Sequence, residues 1–162
     1  MSLVDALLLD PYPFDVWIAT RNDGVKGSGT LNDPFNGNTQ ARFDGIMASF
    51  QTQSNVTIHL GHGTFPTLGY AIIAGTGWQA RPGMRIIGSG IDVTTVQLLN
   101  VGPNEHYYAI GHPLTSAAKA DYLEISDLTI DCNLPSGVTS VACGAIRILG
   151  DHAMIRRVKA KN

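Results

Sequence analysis

The stretch of the sequence that most suggests chemistry is TIHLGHGTFPT, which runs from Thr57 to Thr67. It contains His59 and His62, and imidazole nitrogens are common ligands of zinc and other transition metals. Side chains alternate along an extended strand, so residues three apart face opposite sides. A zinc site would also need further ligands, and no Cys or Glu lies nearby. We therefore predict a strand histidine and a turn histidine, with no metal site and no bound cofactor.

Clustered aspartates offer a second kind of chemistry, because Ca²⁺ takes about six to eight oxygen ligands. Asp127 and Asp131, in ISDLTIDCN, are the nearest candidates. An internal repeat described below places Arg157 over Asp127 and Lys161 over Asp131, about 4.8 Å away if the strands stack in parallel. Those cations would neutralise the carboxylates that a calcium ion needs. The arrangement therefore predicts a ladder of exposed ion pairs, each contributing a few tenths of a kcal/mol.

Composition limits the classes of protein that remain. The 162 residues suit one domain with one core, and the formal net charge of −2 leaves no basic block for nucleic acid. With 44% hydrophobic and only 15% charged residues, the chain does not have the composition of a disordered protein. The 18 glycines and 8 prolines are spread along the chain and favour short strands joined by tight turns. We predict a mostly β protein.

The N-terminal segment and the two cysteines say little about the compartment. The apolar run from Ala6 to Leu9 is short and has no preceding Lys or Arg, which fits neither a signal peptide nor a membrane span. Cys132 and Cys143 bracket a loop of ten residues. A disulfide there could contribute on the order of 3 kcal/mol in an oxidising compartment, and two ordinary buried thiols are the alternative.

The first part of the chain predicts a strand, a long loop and one helix. The strand covers Asp15 to Thr20 and the turn-rich loop covers residues 21–40. The helix that follows can be capped by Asn38 or Thr39. Its apolar stripe at helical spacing consists of Phe43, Ile46, Met47 and Phe50.

The rest of the chain predicts a series of short strands separated by Gly, Asp or Asn. A sandwich, a barrel and a solenoid are all compatible with the strand pattern alone. The predicted strands are Val56–Leu60, Met84–Ile87, Thr95–Leu99, Tyr122–Ile125, Leu128–Asp131, Ala145–Leu149 and Ala153–Ala160.

An internal repeat favours the solenoid. The segments DYLEISDLTID from Asp121 and DHAMIRRVKAK from Asp151 align without gaps, 30 residues apart. In each copy the apolar residues fall at x, x+2, x+5 and x+7, so two alternating strands are joined by a break that resets the inward face. A period of this length is typical of repeat architectures in which each coil buries its face on the next.

With these features, residues 16–162 resemble the N-terminal part of right-handed parallel β-helix proteins of the pectate lyase-like superfamily. The segments that carry the resemblance are WIATRNDGVKGSGTLNDPF, TIHLGHGTF, MRIIGSGIDVTTVQL, LEISDLTIDCN and GAIRILGDHAMIRRVKAKN. The resemblance implies a capping helix and about three to four coils. It divides the chain into an N-terminal extension (1–14), a capping strand, loop and helix (15–55), and the coils (56–162).

The resemblance also implies a function. The favoured one is a scaffold or glycan-contacting segment of a carbohydrate-active protein, with polysaccharide as partner and an extracellular or cell-surface location. Calcium would enter only in a lyase. The alternative is a non-enzymatic structural or adhesion module, tailspike-like, that self-associates as a homo-oligomer through residues 154–162, which end in a strand pair with no cap. Fold alone decides neither.

No complete catalytic constellation is visible, so whether the chain is an enzyme stays open and no catalytic residue is assigned. Polygalacturonases of the superfamily carry a Gly-His-Gly motif in mid-solenoid, after carboxylate motifs that do the hydrolysis. Here Gly61-His62-Gly63 comes early and those carboxylate motifs are absent. Arg147 is predicted to be a solvated outward residue, and packing under loops is the default for the aromatic residues. The candidate sugar-stacking residues are Trp17, Tyr70, Trp78, Tyr107 and Tyr108, the last two in a predicted loop.

Overall fold

The protein is mostly β, with a curled parallel sheet and one helix among the residues described here. The structure is a computed structural model that describes residues 14–99, 106–113, 119–133 and 142–161. The helix is α1 (Gln40–Ser49). The strands are β1 (Phe14–Ala19), β2 (Phe35–Asn36), β3 (Val56–Leu60), β4 (Gly63–Thr67), β5 (Tyr70–Ala71), β6 (Thr76–Gly77), β7 (Arg85–Gly88), β8 (Thr94–Leu98), β9 (His106–Ile110), β10 (Glu124–Asp131), β11 (Ala142–Ile146) and β12 (Met154–Lys161).

Two sheets contain all of these strands. The larger has eight strands and is parallel throughout, in the order β2-β1-β3-β7-β10-β8-β4, with β12 also paired to β10. The smaller has the order β11-β9-β5-β6, in which β9 and β11 are parallel while β5 is antiparallel to its neighbours. The first half of β10 lies on β7 and its second half on β8. The chain thus passes twice through the larger sheet in each of four stacked levels: β3 with β4, β7 with β8, the two halves of β10, and the two halves of β12.

Columns of apolar side chains run across the levels and form the core. Parallel register places Val16, Ile58, Ile86, Ile125 and Ile155 in line. The first four are at most 1% exposed, whereas Ile155 on the last level is 52% exposed. A second column joins Phe65, Val96, Ile130 and Ala160 on the other half of each level. The apolar side chains of each level are therefore buried by the level that lies on it.

The break predicted inside the repeat is a corner built by one left-handed residue. Asp127 has φ 60° and Arg157, its counterpart one level on, has φ 48°. On either side of this corner the register is continuous: Ile125 pairs with Ile155 and Leu128 with Val158. A single residue in this conformation reverses which side chains point inward, so both halves of β10 bury their apolar positions. The structure therefore confirms the 30-residue repeat, both in the strand register and in the position of the corner residue.

A second corner is also built by one left-handed residue on each of the four levels. The corner residues are Asn55, Gly83, Tyr122 and His152. Each lies two residues before one of the aligned residues of β3, β7, β10 and β12. Their φ angles are 60°, 67°, 58° and 58°. Successive corners are linked by backbone hydrogen bonds, such as Gly83 N to Asp121 O at 2.7 Å and Tyr122 N to Asp151 O at 2.9 Å.

The helix covers one end of the apolar columns. It begins after Thr39, whose side-chain oxygen accepts a hydrogen bond from Arg42 N, so of the two predicted caps Thr39 is the one used. Phe43, Met47 and Phe50 are buried as predicted, and the Phe43 ring lies 5.4 Å from that of Phe65. Ile46 is only partly buried.

Polar contacts join the helix to the end of β4. The carboxylate of Asp44 accepts hydrogen bonds from the Thr67 hydroxyl and from Leu68 N. Thr67 in turn accepts one from Trp78 Nε1 at 3.0 Å. Asp44 and Thr67 were not among the residues singled out by the sequence.

Some strand predictions differ from the structure. Residues 63–67 form β4, which was not among the predicted strands, and residues 106–110 form β9 where a loop was expected. The strand predicted at 145–149 runs instead from Ala142 to Ile146. Residues 1–13, with the apolar run near the N-terminus, and most of the loop between the cysteines lie outside the described residues. No helix in the described part of the chain is long and apolar enough to cross a membrane.

We expect Gly83→Ala to destabilise the protein more than Gly75→Ala. Both glycines have positive φ, 67° and 65°, so both variants carry a strain of roughly 1 kcal/mol. At Gly83 a Cβ would also lie 2.1 Å from the Asn55 side-chain oxygen, whereas at Gly75 it would meet nothing within 4 Å. The exposed Asn55 side chain can rotate away, but Asn55 N would stay 3.2 Å from the new Cβ, so the extra loss in the free energy of unfolding, measured in urea, should be about 1 kcal/mol or less. Equal losses would contradict a packing role for the corner column.

A buried histidine should make stability depend on pH. His112 is fully buried, and neither ring nitrogen has a hydrogen-bond partner among the described residues. Burial lowers the pKa of His112 below its usual 6.5; the Pro113 carbonyl opposes the shift and the charge of Arg81 adds to it. His112 therefore binds a proton more readily in the unfolded chain than in the folded chain.

The free energy of unfolding should consequently fall as pH drops through and below 6.5. Comparing the free energies of unfolding of wild type and His112→Leu cancels the contributions of the other titrating groups. As the pH falls, wild type should lose stability relative to the variant. The carboxylates with lowered pKa values affect stability only at lower pH, below about 4. Denaturation at several pH values measures this, and a difference that is constant with pH would disprove it.

Candidate functional site

The most unusual exposed feature is a pair of stacked rings at the second corner. The rings of Tyr122 and His152 lie 4.9 Å apart between centroids, with an angle of 6° between their planes. Tyr122 is 66% exposed and His152 is also exposed. Because they occupy the same position on consecutive levels, the parallel register itself brings the rings face to face. Together they form a flat aromatic surface on the outside of the protein.

The backbone at Tyr122 is strained. Asn and Gly, which occupy this corner on the two earlier levels, adopt a positive φ readily, and His does so more often than most residues. A bulky residue such as Tyr rarely does, and the left-handed conformation costs roughly 1–2 kcal/mol. Tyr122 is 66% exposed, so its ring is not held there by burial in the core. Strain of this kind concentrates at binding and catalytic sites, which marks Tyr122 as a candidate functional residue.

Charged groups surround the two rings. Lys119 Nζ lies 3.0 Å from Asp151 Oδ2, and Asp121 Oδ1 accepts a hydrogen bond from Asp151 N at 2.7 Å. The hydrogen bond from Lys119 lowers the pKa of Asp151, and the same contact raises the pKa of Lys119. Among the described residues, these contacts leave Asp121 Oδ2 and Asp151 Oδ1 without a hydrogen bond. The corner thus presents two aromatic rings beside carboxylate oxygens that can accept further hydrogen bonds.

The charge ladder predicted from the repeat is confirmed. Arg157 donates to both oxygens of Asp127, and Lys161 lies 3.3 Å from Asp131. Arg157 lowers the pKa of Asp127. Burial raises the pKa of Asp131, but hydrogen bonds to its carboxylate outweigh this and leave the pKa lowered. No group of three or more potential metal ligands occurs among the described residues.

A stronger ionic contact was missed. Glu124 lies between Arg85 on the level before it and Arg156 on the level after it, at 2.7 Å from each. Its side chain is only 13% exposed. Burial raises the pKa of Glu124, but the two guanidinium groups outweigh it, so the pKa is lowered and the carboxylate is ionised. The 30-residue repeat aligns Glu124 with Met154 and does not extend back to β7, so it indicated neither arginine.

The histidine-rich stretch has a structural explanation. His59 lies on the outer face of β3, where its ring stacks on Trp17 at 4.7 Å and its Nε2 lies 3.0 Å from Asp15 Oδ1. His62 is exposed, and its carbonyl accepts a hydrogen bond from Thr20. Gly63 has φ 123°, and the Thr20 side chain occupies the place where a Cβ would be. The glycine is thus required by the close approach of Thr20.

Of the five aromatic residues singled out from the sequence, only Trp17, which is half-buried, stacks on an outer ring, that of His59. Tyr70 and Trp78 are buried, at 3% and 2% exposure. Tyr107 and Tyr108 are half-buried in β9. The guanidinium of Arg147, predicted to be solvated, lies 5.3 Å from the centroid of the Tyr108 ring, in a cation–π contact.

The two cysteines are thiols with no disulfide between them. Cys143 Sγ lies 3.8 Å from the Cys132 carbonyl oxygen, which places the two residues side by side. Both thiols are half-buried, and burial raises the pKa of each. A raised pKa favours the protonated thiol, which is less nucleophilic than the thiolate.

An open cleft of about 520 Å³ lies along α1, between the helix and the loop before β2. Phe35 and Ile46 contribute apolar surface to it, and Lys26 and Arg42 contribute positive charge. Among the described residues that line it, none carries a carboxylate, an imidazole or a thiol. The cleft therefore combines apolar surface with two positive charges.

Comparison of the chain with protein-family models, with curated proteins and with solved structures gave no match.

Tyr122 and His152 were not singled out by the sequence analysis, although one signal could have found them. The gapless alignment of the repeat places Tyr122 over His152, so two ring-bearing residues share a column. What the alignment could not give is the left-handed backbone that turns both rings outward.

We expect Glu124→Gln to lower the free energy of unfolding by about 1–2 kcal/mol, because it removes a charge hydrogen-bonded by two guanidinium groups. A matched control is Asp92→Asn, which alters the exposed pair between Asp92 and Lys159. That variant should leave stability nearly unchanged. Urea denaturation at low and high salt measures both. Equal small effects would show that the enclosed position of Glu124 adds nothing.

Proposed function

We propose that the chain is a right-handed parallel β-helix that serves as a scaffold for glycan contact, with Tyr122 and His152 as the contact surface. The stacked levels, the in-register apolar columns and the repeated left-handed corners support the solenoid. A solenoid offers a long, regular outer surface, and this suits an extended polymer as ligand.

One observation carries the glycan assignment: a tyrosine that is 66% exposed is held in a strained left-handed conformation, parallel to a second ring. An exposed aromatic face provides a rigid apolar surface at low entropic cost, which suits the C–H face of a sugar ring. The neighbouring carboxylates of Asp121 and Asp151 can accept hydrogen bonds from sugar hydroxyls at the rim.

The charge at this corner favours a neutral sugar. Asp121 and Asp151 outnumber Lys119, and Asp151 is already paired with it. An anionic sugar would therefore meet net negative charge. The role proposed is binding, because a general acid needs a raised pKa and that of Asp151 is lowered.

A second candidate is a structural or adhesion module that associates through β12. The observation in its favour is the exposure of this strand. Met154 and Ile155 are 53% and 52% exposed, although Ile155 belongs to a column that is buried on every earlier level.

The glycan proposal predicts that Tyr122→Gly abolishes binding while the fold stays intact. Glycine relieves the strain at φ 58° and loses one ring contact, so the free energy of unfolding should change by less than about 1 kcal/mol. The ligands to titrate are neutral gluco-, manno-, galacto- and xylo-oligosaccharides, with an oligouronate for comparison. Isothermal calorimetry gives affinity, and urea denaturation gives stability.

The matched control is Tyr122→Phe, which keeps the ring and should keep most of the affinity. Failure of the wild-type protein to bind any neutral oligosaccharide would disprove the assignment. So would a Tyr122→Gly protein that binds as well as wild type.

A further inference from the structure

The cleft beside α1 has a well-fixed wall on the side of the loop before β2. Asn36 N donates to Lys26 O at 2.8 Å, which ties the backbone of Lys26 to β2. The Asn36 side chain is buried, and it bonds twice to the Arg21 backbone. Its Oδ1 accepts from Arg21 N at 3.3 Å and its Nδ2 donates to Arg21 O at 3.1 Å. A wall tied in this way keeps its shape without a ligand, so binding would cost little ordering of the protein.

The acidic side chains of this loop are neutralised within the loop. The Arg21 guanidinium lies 2.6 Å from Asp23 and 2.7 Å from Asp33, and its hydrogen bonds lower the pKa of both carboxyls. It also donates to the Pro34 carbonyl at 2.9 Å. Both carboxylates therefore pair with Arg21, and neither pairs with Lys26.

The two cations of the cleft lack a carboxylate partner. Of the ion pairs among the described residues, none involves Lys26 or Arg42. The Arg42 guanidinium donates to neutral oxygens, Asn38 Oδ1 at 3.3 Å and Gly24 O at 3.4 Å. The carboxylate of Asp44, on the same helix, bonds to the end of β4 instead. The cleft therefore holds two positive charges that a bound anion would neutralise.

Glycine at position 45 leaves room in the cleft. Gly45 lies in the middle of α1 and lines the cleft, although glycine is a poorer helix former than alanine. A Cβ built there would meet nothing within 4 Å, so packing does not require glycine. A residue that weakens its own helix without a packing reason is expected at a functional site. Here the absent side chain leaves space beside the apolar surface of Phe35 and Ile46.

The polar side chains that line the cleft are already bonded within the protein. The Ser49 hydroxyl donates to Ile46 O at 2.6 Å, and the Asn36 amide bonds to the Arg21 backbone. A sugar has hydroxyls on every side and would find few partners here. An apolar body with one charged group suits this lining better, because small-molecule sites combine apolar walls with a few placed polar groups.

We propose that the cleft is a binding site for a small organic carboxylate with an apolar body. Lys26 and the Arg42 guanidinium hold the carboxylate, since the guanidinium has further N–H donors besides the two already used. The apolar body lies on Phe35 and Ile46, in the space beside Gly45. The cleft volume of about 520 Å³ falls in the range of small-molecule sites. This site goes beyond the glycan surface and does not depend on it.

Octanoate and phenylacetate are the probes, titrated into the full chain by isothermal calorimetry. One molecule of either should bind per chain and shift the amide resonances of Gly45 and Ile46. Octanol lacks the charge and acetate lacks the apolar body. Each should therefore bind on the order of tenfold or more weakly than octanoate.

A variant at Gly45 tests the location. Gly45→Leu fills the space beside the apolar surface, so the affinity for octanoate should fall on the order of tenfold or more. The matched control is Gly45→Ala, which adds a single methyl group and should keep most of the affinity. Both substitutions improve helix propensity, so the urea midpoints should stay at or above that of wild type.

A second pair of variants tests the charge. Arg42→Gln should weaken octanoate binding on the order of tenfold, because it removes a charged donor. Arg147→Gln removes a cation that lies against Tyr108, outside the cleft, and should leave octanoate binding unchanged.

Three results would overturn the proposal: no binding of octanoate to wild type, equal binding of octanoate and octanol, or full affinity in the Gly45→Leu protein. The comparison of octanoate with octanol needs no variant, so it decides the matter even if a variant does not fold. Tyr122→Gly should bind octanoate as wild type does. Failure at the cleft is therefore distinguishable from failure of the glycan assignment.

Discussion

The structure depends on one constraint: each level must place its apolar side chains directly over those of the level before it. The isoleucine column from Ile58 to Ile125 is buried only because parallel register is kept from β3 through β7 to β10. A slip of one residue would turn every member outward. The segments between strands vary in length, and they are tolerated because they return the chain to the same register.

The corner residues keep the levels in register, and their exposed side chains are not needed for the core. A left-handed residue resets the inward face, and Asn or Gly would suffice. The chain instead uses Tyr122 and His152 on consecutive levels, where register alone aligns their rings. The cost of the conformation is local, and both rings are exposed. The stacked sheet can therefore hold a strained aromatic residue without disturbing its core.

The outward side chains also align from level to level, but they interact through charge and not through apolar contact. Glu124 between two arginines, and the pairs made by Asp127 and Asp131, arise because parallel stacking keeps neighbouring levels within reach of one another. Most of these pairs are exposed and individually weak.

The sequence by itself determined the periodic features. The apolar alternation predicted β3 with its bounds. The candidate caps Asn38 and Thr39 and the apolar stripe from Phe43 located the helix, and the 30-residue repeat placed Arg157 on Asp127 and Lys161 on Asp131. These follow from spacing along the chain, which is local information. Tertiary structure alone decided the features that join distant segments at no fixed spacing. These are both arginines on Glu124, the strand at His106, the contact of Asp44 with Thr67, and the left-handed corner that exposes Tyr122. Backbone dihedrals at a corner are set by the levels above and below it, so residue type could not reveal them in advance.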